Sequence, residues 1–263
     1  MKTIINWNVF LLLWIASILA TLLVLPYAME LQSSAIDLSK IDIPLPALIA
    51  IQTLQISVVF AIIIFAGMLL AKRVGLEAPI LESWTRGESI ADNVRAILPP
   101  SIILGVIATL IMLALEFLYF QPAMINELGD TAAALNLQTG QPAAWKGFLA
   151  SFYGGIAEEV QLRLFVMTLL VWLGSFISKT DDGKPTKVIF WIANILAAIL
   201  FGLGHLPTVA LLLPLTPLVL ARTLVLNGIG GIVFGWLYWK RGLESAIIAH
   251  FAADIVLHVV LAL

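Results

Sequence analysis

Apolar runs of about 20 residues recur along this chain, and a run of that length has few places to go other than across a bilayer. They cover about Asn8 to Met29, Ala47 to Ala71, Ile97 to Phe120, Gly147 to Ile177, Val188 to His205 and Leu243 to Leu263. Hydrocarbon offers no partner to a backbone N–H or C=O, so spans of this length must be helices packed on one another. From Thr208 to Trp239 the chain stays apolar but is broken by Pro214 and Pro217, which predicts two short spans, or a re-entrant piece plus one span. The expectation is an all-α, polytopic helical bundle of about eight transmembrane helices, forming one integral membrane domain over residues 1–263. With 61% of residues hydrophobic and 11% charged, no soluble class competes.

The polar segments divide the bundle. The first run follows Lys2 and has no small-residue cleavage pattern before Glu30, so it reads as a retained span and not a signal peptide. Residues 72–96 begin with Lys72-Arg73 and carry Trp84, which predicts an interfacial amphipathic linker or, equally, a solvated loop. Pro99-Pro100 is expected to open the third span and Pro207 to end the fifth. The longest polar stretch is Gln121 to Lys146, and Lys179 to Lys187 is a charged loop. A net charge of -2 gives no reason to expect a nucleic-acid partner, and the absence of cysteine excludes disulfides, thiolate metal sites and a cysteine nucleophile.

Charges inside the apolar runs call for a reason, since each costs roughly 2.5–3.5 kcal/mol at a helix centre. Glu158, Glu159 and Arg163 share one run. Glu159 and Arg163, at i and i+4 with the acid on the N-terminal side, are set for a structural ion pair. Glu158 lies about 100° round the helix and is the carboxylate left over, suited to general acid or base work. Gly154 and Gly155, one turn earlier, read as small residues for close helix packing, or as room for a substrate backbone. His205 ends the fifth run, and the last carries His250 and Asp254 at i and i+4, a spacing that serves a hydrogen bond, a metal pair or an oxyanion site alike. His258 falls on nearly the same face, closer to the helix end. Asn194 and Asn227 read as interhelical hydrogen bonders, and Arg222 as a side chain snorkelling to the interface.

Glu158-Glu159-x-x-x-Arg163, Phe201-x-x-x-His205 and His250-x-x-x-Asp254, in that order on successive apolar helices, resemble the motif set of the CPBP family. Its members are the CAAX prenyl endopeptidase-like and bacteriocin-processing intramembrane proteases, also called the Abi family. The resemblance covers about residue 147 to the C-terminus, so 147–263 is the expected catalytic core. It implies an intramembrane endopeptidase in which Glu158 and His205 activate water, Glu159 with Arg163 holds the helix, and His250 with Asp254 stabilises the oxyanion. Family members carry Asn or Asp at the last position; Asn can donate a hydrogen bond, whereas Asp must either keep a proton or hold His250 as the donor. The family was first described as metalloprotease-like, and Glu158, His205, His250 and Asp254 offer a first shell for zinc. A glutamate mechanism needs no metal, and the His-Glu-x-x-His helix of ordinary zinc proteases is absent. The implied substrate is a hydrophobic or lipidated membrane peptide, and the implied location a bacterial inner membrane. Two other readings fit the buried polar residues: a proton- or solute-coupled carrier, and a non-enzymatic immunity or assembly factor.

For Glu158, His205 and His250 to meet, Pro207 and Lys240 must lie on one side, which asks for two crossings between them. On that count Lys2, Lys72, Arg73, Arg86, Arg95, Lys179, Lys184, Lys187 and Arg222 share one side, cytoplasmic by the positive-inside rule. Lys40, Lys146, Lys240 and Arg241 fall on the other, nearer the site.

Overall fold

The structure, a computed structural model, describes residues 5–32, 42–129 and 141–263. Lys2 and Lys40 lie outside the described residues, as do residues 130–140 of the long polar stretch. The described chain is all-helical. Helix α1 (Trp7–Leu23) is followed after a one-residue break by α2 (Leu25–Leu31), α3 is Leu45–Val74, and α4 is the short Pro79–Thr85. Helix α5 (Ala91–Leu115) runs through a π turn, Glu116–Phe120, into α6 (Gln121–Leu128). The next helix is composite, with α7 (Ala144–Phe152), two π segments and α8 (Thr168–Gly174). Helices α9 (Lys187–Leu212), α10 (Pro217–Arg241) and α11 (Leu243–Asp254) complete the bundle, the last extended by a π turn at Ile255–Val259.

Among the described residues six helices are long and apolar enough to cross a membrane, and the composite helix over residues 144–174 is a further continuous one. This is a multi-pass integral membrane protein. The expected count of about eight is not confirmed among the described residues: only residues 213–216 are non-helical between α9 and α10, which leaves no room there for an extra span. Pro207 sits inside α9, where it removes the hydrogen bond to the Leu203 carbonyl without stopping the helix, and the actual break is at Leu213. Pro217 takes the first turn of α10, where its missing N–H costs nothing, and the Thr216 hydroxyl caps that turn by accepting from the Val219 N–H at 3.3 Å. Pro99 and Pro100 likewise lie within α5, which begins eight residues before Pro99, at Ala91. Pro100 cannot donate to the Ala96 carbonyl, and Arg241 donates to that oxygen instead at 3.3 Å.

One crossing between His205 and Lys240, not two, moves the Lys240-Arg241 turn to the opposite end of the bundle from the one expected. There it meets the 72–96 linker: the Leu243 N–H donates to the Glu77 carbonyl at 3.1 Å, and Glu244 accepts from the Leu81 N–H at 2.8 Å. Lys240 and Arg241 therefore join Lys72, Arg73, Arg86 and Arg95. Arg222 leaves that group and does not snorkel. It pairs with Glu116 through two hydrogen bonds of 2.8 and 3.0 Å.

The core lies where α3, α10 and α11 pack on the composite helix, with Phe60, Ile64, Val160, Met167, Phe234, Leu237 and Ala249 buried. Leu54, Ile62 and Leu118 point outward, as a lipid-facing surface requires. Small residues set the closest approaches. A Cβ at Gly105 of α5 would overlap the Ala249 carbonyl of α11.

Candidate active site

The composite helix departs from α geometry where it carries polar residues. Tyr153–Glu158 and Val160–Met167 are π-helical, and the Thr168 hydroxyl donates to the carbonyl of Arg163, five residues back, at 3.0 Å. A π turn is wider than an α turn and is found mostly where function re-aims a side chain. Gly154 stands at the start of this region for a steric reason, because a Cβ there would overlap Asp254 Oδ2 and sit 3.1 Å from His250 Nε2. Its role is close packing, but against a site carboxylate. Gly155 packs against the α11 backbone at Ile247 and Phe251.

His250 is the hub. Its Nδ1–H donates to Glu159 Oε1 at 2.8 Å, which leaves Nε2 facing the other way. Nε2 lies 3.7 Å from Glu158 Oε2 and 3.7 Å from Asp254 Oδ1. The two adjacent glutamates thus flank one imidazole from opposite nitrogens. Phe234 stacks on the ring at 4.5 Å and 21°, and Phe201 meets its edge at 5.7 Å, so packing fixes the ring plane.

Glu159 and Arg163 are both fully buried. Arg163 Nε is 3.2 Å from Glu159 Oε2, but no guanidinium nitrogen has a hydrogen bond of good geometry. The cation is held by charge and by the faces of Phe201 and Phe234, at 5.5 and 5.8 Å. Those two rings also contact His250, so Glu159, Arg163 and His250 share one packing unit.

Glu158, His205, His250 and Asp254 line one cavity of about 520 Å³ between the helices. His205 donates from Nδ1 to the Phe201 carbonyl at 2.9 Å; a carbonyl only accepts, so the neutral ring keeps its lone pair on Nε2. A second, smaller cavity of about 230 Å³ shares Glu158 and His205 with the large one and adds Gln161. Those two residues therefore stand between an apolar chamber and a more polar one.

Two members of the large cavity escape, or nearly escape, a reading of the sequence. Tyr27, on α2, bonds His258 Nδ1 through its hydroxyl at 3.1 Å. His258 in turn places Nε2 4.0 Å from Asp254 Oδ1. Only the eight-residue spacing from His250 pointed to His258, and nothing in the sequence pointed to Tyr27. Asn227 also lines the cavity; it bonds the Thr223 carbonyl of its own helix at 2.8 Å, not a neighbour, while Asn194 does bond across helices, to Ile232 O at 3.0 Å. Among the described residues no group of three or more His, Asp and Glu is arranged to hold a metal ion, and the steps below use none.

Fold and cluster together define a helical membrane protein with a cluster of ionisable side chains buried among its helices. Residues 140–256 match the family model of the type II CAAX prenyl endopeptidase Rce1-like proteins. Over that stretch, under half of the chain, the protein is similar to the Rce1-like peptidases of the CPBP family. No curated protein and no solved structure matches the chain.

Proposed function

We propose that the protein is an intramembrane endopeptidase that hydrolyses a hydrophobic or lipidated peptide entering from the bilayer. The observation that carries this reading is the gathering of Glu158, His205, His250 and Asp254 on one cavity, all four within the matched residues 140–256. Glu158 and His205 Nε2 take the position of the base: one accepts a proton as water attacks the scissile carbonyl carbon, and the pair returns that proton to the departing amine. Attack puts negative charge on the carbonyl oxygen, and His250, as the imidazolium held by Glu159 at Nδ1 and braced by Asp254, is the donor for it from Nε2. The products are a peptide carboxylate and a new N-terminal amine. The smaller cavity, which adds Gln161, is the route by which water reaches Glu158.

The charges favour an orientation in which the end carrying Lys72, Arg73, Arg86, Arg95, Lys240 and Arg241 is cytoplasmic and the membrane is a bacterial inner membrane. His205 is seven residues from the far end of α9, roughly 10 Å at 1.5 Å per residue, so the site opens nearer the outer face.

The test is cleavage of hydrophobic reporter peptides by purified protein in lipid nanodiscs. Glu158→Gln keeps the shape and removes the base, and is expected to lower turnover by about 10²–10⁴-fold in a folded protein. Full activity in Glu158→Gln overturns the assignment. Solute uptake by reconstituted vesicles with no peptide cleavage supports a carrier instead.

A further inference from the structure

Two polar side chains of the cavity that catalysis leaves unused, Tyr27 and His258, lie outside the matched residues 140–256. Tyr27 comes from the N-terminal part of the chain. Helix α2 starts just after Val24, places Tyr27, Ala28 and Leu31 on the cavity wall, and is tied to α7 by the Glu30–Lys146 ion pair. The Tyr27 ring meets the His258 ring edge-on at 5.3 Å and 66°, which aligns the hydroxyl with Nδ1 rather than with the cavity centre.

We propose that Tyr27, acting through His258, is a positioning residue for Asp254. A tyrosine hydroxyl donating to Nδ1 leaves the proton of a neutral imidazole on Nε2. In His258 that nitrogen is the one 4.0 Å from Asp254 Oδ1. Asp254 then stands between two imidazoles, His258 on one side and His250 Nε2 at 3.7 Å on the other, with Gly154 leaving room for its second oxygen. The carboxylate cannot turn away from His250 without leaving His258. The i, i+4, i+8 stripe of His250, Asp254 and His258 is therefore one device, completed by a hydroxyl from α2. It rests on the peptidase reading for its consequence in turnover, but the tautomer it assigns to His258 does not.

Two measurements on the full-length protein test it. The first is the nitrogen spectrum of histidine-labelled protein, with the His258 signals identified by their loss in His258→Gln. Wild type should show His258 as the Nε2–H tautomer, and Tyr27→Phe should convert it to a mixture; identical spectra overturn the proposal. The second is peptide turnover. Tyr27→Phe should lower kcat by about 10-fold with KM unchanged, the scale of one hydrogen bond. His258→Gln, whose amide can still donate toward Asp254, should retain more activity than His258→Leu. Adding Tyr27→Phe to His258→Leu should change nothing further, because its path to Asp254 is already cut. A Tyr27→Phe effect that persists undiminished in the His258→Leu background makes Tyr27 a direct substrate contact and overturns the proposal. So does a rise in KM at constant kcat. If wild type cleaves no peptide while the tautomer still shifts, the peptidase reading fails and the His258 assignment stands.

Discussion

Among the described residues two arginine–glutamate pairs lie within the bundle, and they are built differently. Glu116 and Arg222, joining the π turn after α5 to α10, form a fork with two hydrogen bonds, and Arg222 keeps a fifth of its side chain exposed. Glu159 and Arg163 are wholly buried, lie on one helix, and share only a 3.2 Å approach without a well-aligned hydrogen bond. The first pair satisfies itself. The second is incomplete as a pair, because Glu159 spends its other oxygen on His250 and Arg163 is held by the rings that also pack His250. Self-contained pairing points to architecture alone, whereas a pair whose best hydrogen bond leads elsewhere points to positioning.

Replacing both members of each pair separates the two roles, since exchanging a whole buried pair for apolar side chains is often neutral for stability. Glu159→Met with Arg163→Met removes the acceptor for His250 Nδ1, and the ring is free to rotate or change tautomer. Peptide turnover should fall by about 10³-fold, with thermal stability much less affected. Glu159→Gln with Arg163→Met keeps an acceptor for Nδ1 and should recover a measurable part of that loss. Equal turnover in the two double variants would show that charge, not orientation of His250, is what Glu159 supplies.

Removing one member of the self-contained pair is the next largest effect. Arg222→Met leaves Glu116, only 3% exposed, without its cation. Breaking a buried pair in this way costs about 3–5 kcal/mol. The expected outcome is a lower midpoint of thermal or denaturant unfolding in nanodiscs, with kcat per folded molecule unchanged. A fall in kcat at unaltered stability would tie α10 and the α5–α6 turn to the chemistry.

The contrast between the pairs also marks what a linear reading can see. Apolar run length gave the helices, because lipid forces the backbone into them, and the i, i+4 rule placed Glu159 beside Arg163 and His250 beside Asp254. Those rules are local. The Glu159–His250 bond spans 91 residues and the Glu116–Arg222 pair 106, and no spacing rule reaches that far. Arg222 looked like a snorkelling side chain because its partner sits in a different run. Proline misled in the opposite direction. Pro99, Pro100 and Pro207 are strong breakers in water, but within a bundle the helix continues and the freed carbonyl finds another donor, as Ala96 finds Arg241. That reading of proline created the surplus crossing and put Lys240-Arg241 at the wrong end. Tyr27 was invisible for a related reason: a tyrosine near the end of a span is ordinarily an interface anchor.

The smallest expected effect is the most exacting for the comparison. Glu116→Met with Arg222→Met removes both charges from the self-contained pair, and the volumes exchanged are similar enough for the surrounding side chains to repack. Two desolvated charges and their mutual attraction disappear together, which is why such exchanges are often neutral or even stabilising by 1–4 kcal/mol. Neither residue lines the large cavity with Glu158 and His250, so turnover should stay within about 2-fold of wild type, well under the tenfold that 1.36 kcal/mol represents. The unfolding midpoint should lie at or above that of wild type, and well above that of Arg222→Met alone. If this double variant instead loses turnover as the Glu159/Arg163 double variant does, the two pairs are not different in kind. Buried charge as such, not the bond from Glu159 to His250, would then be what the site requires.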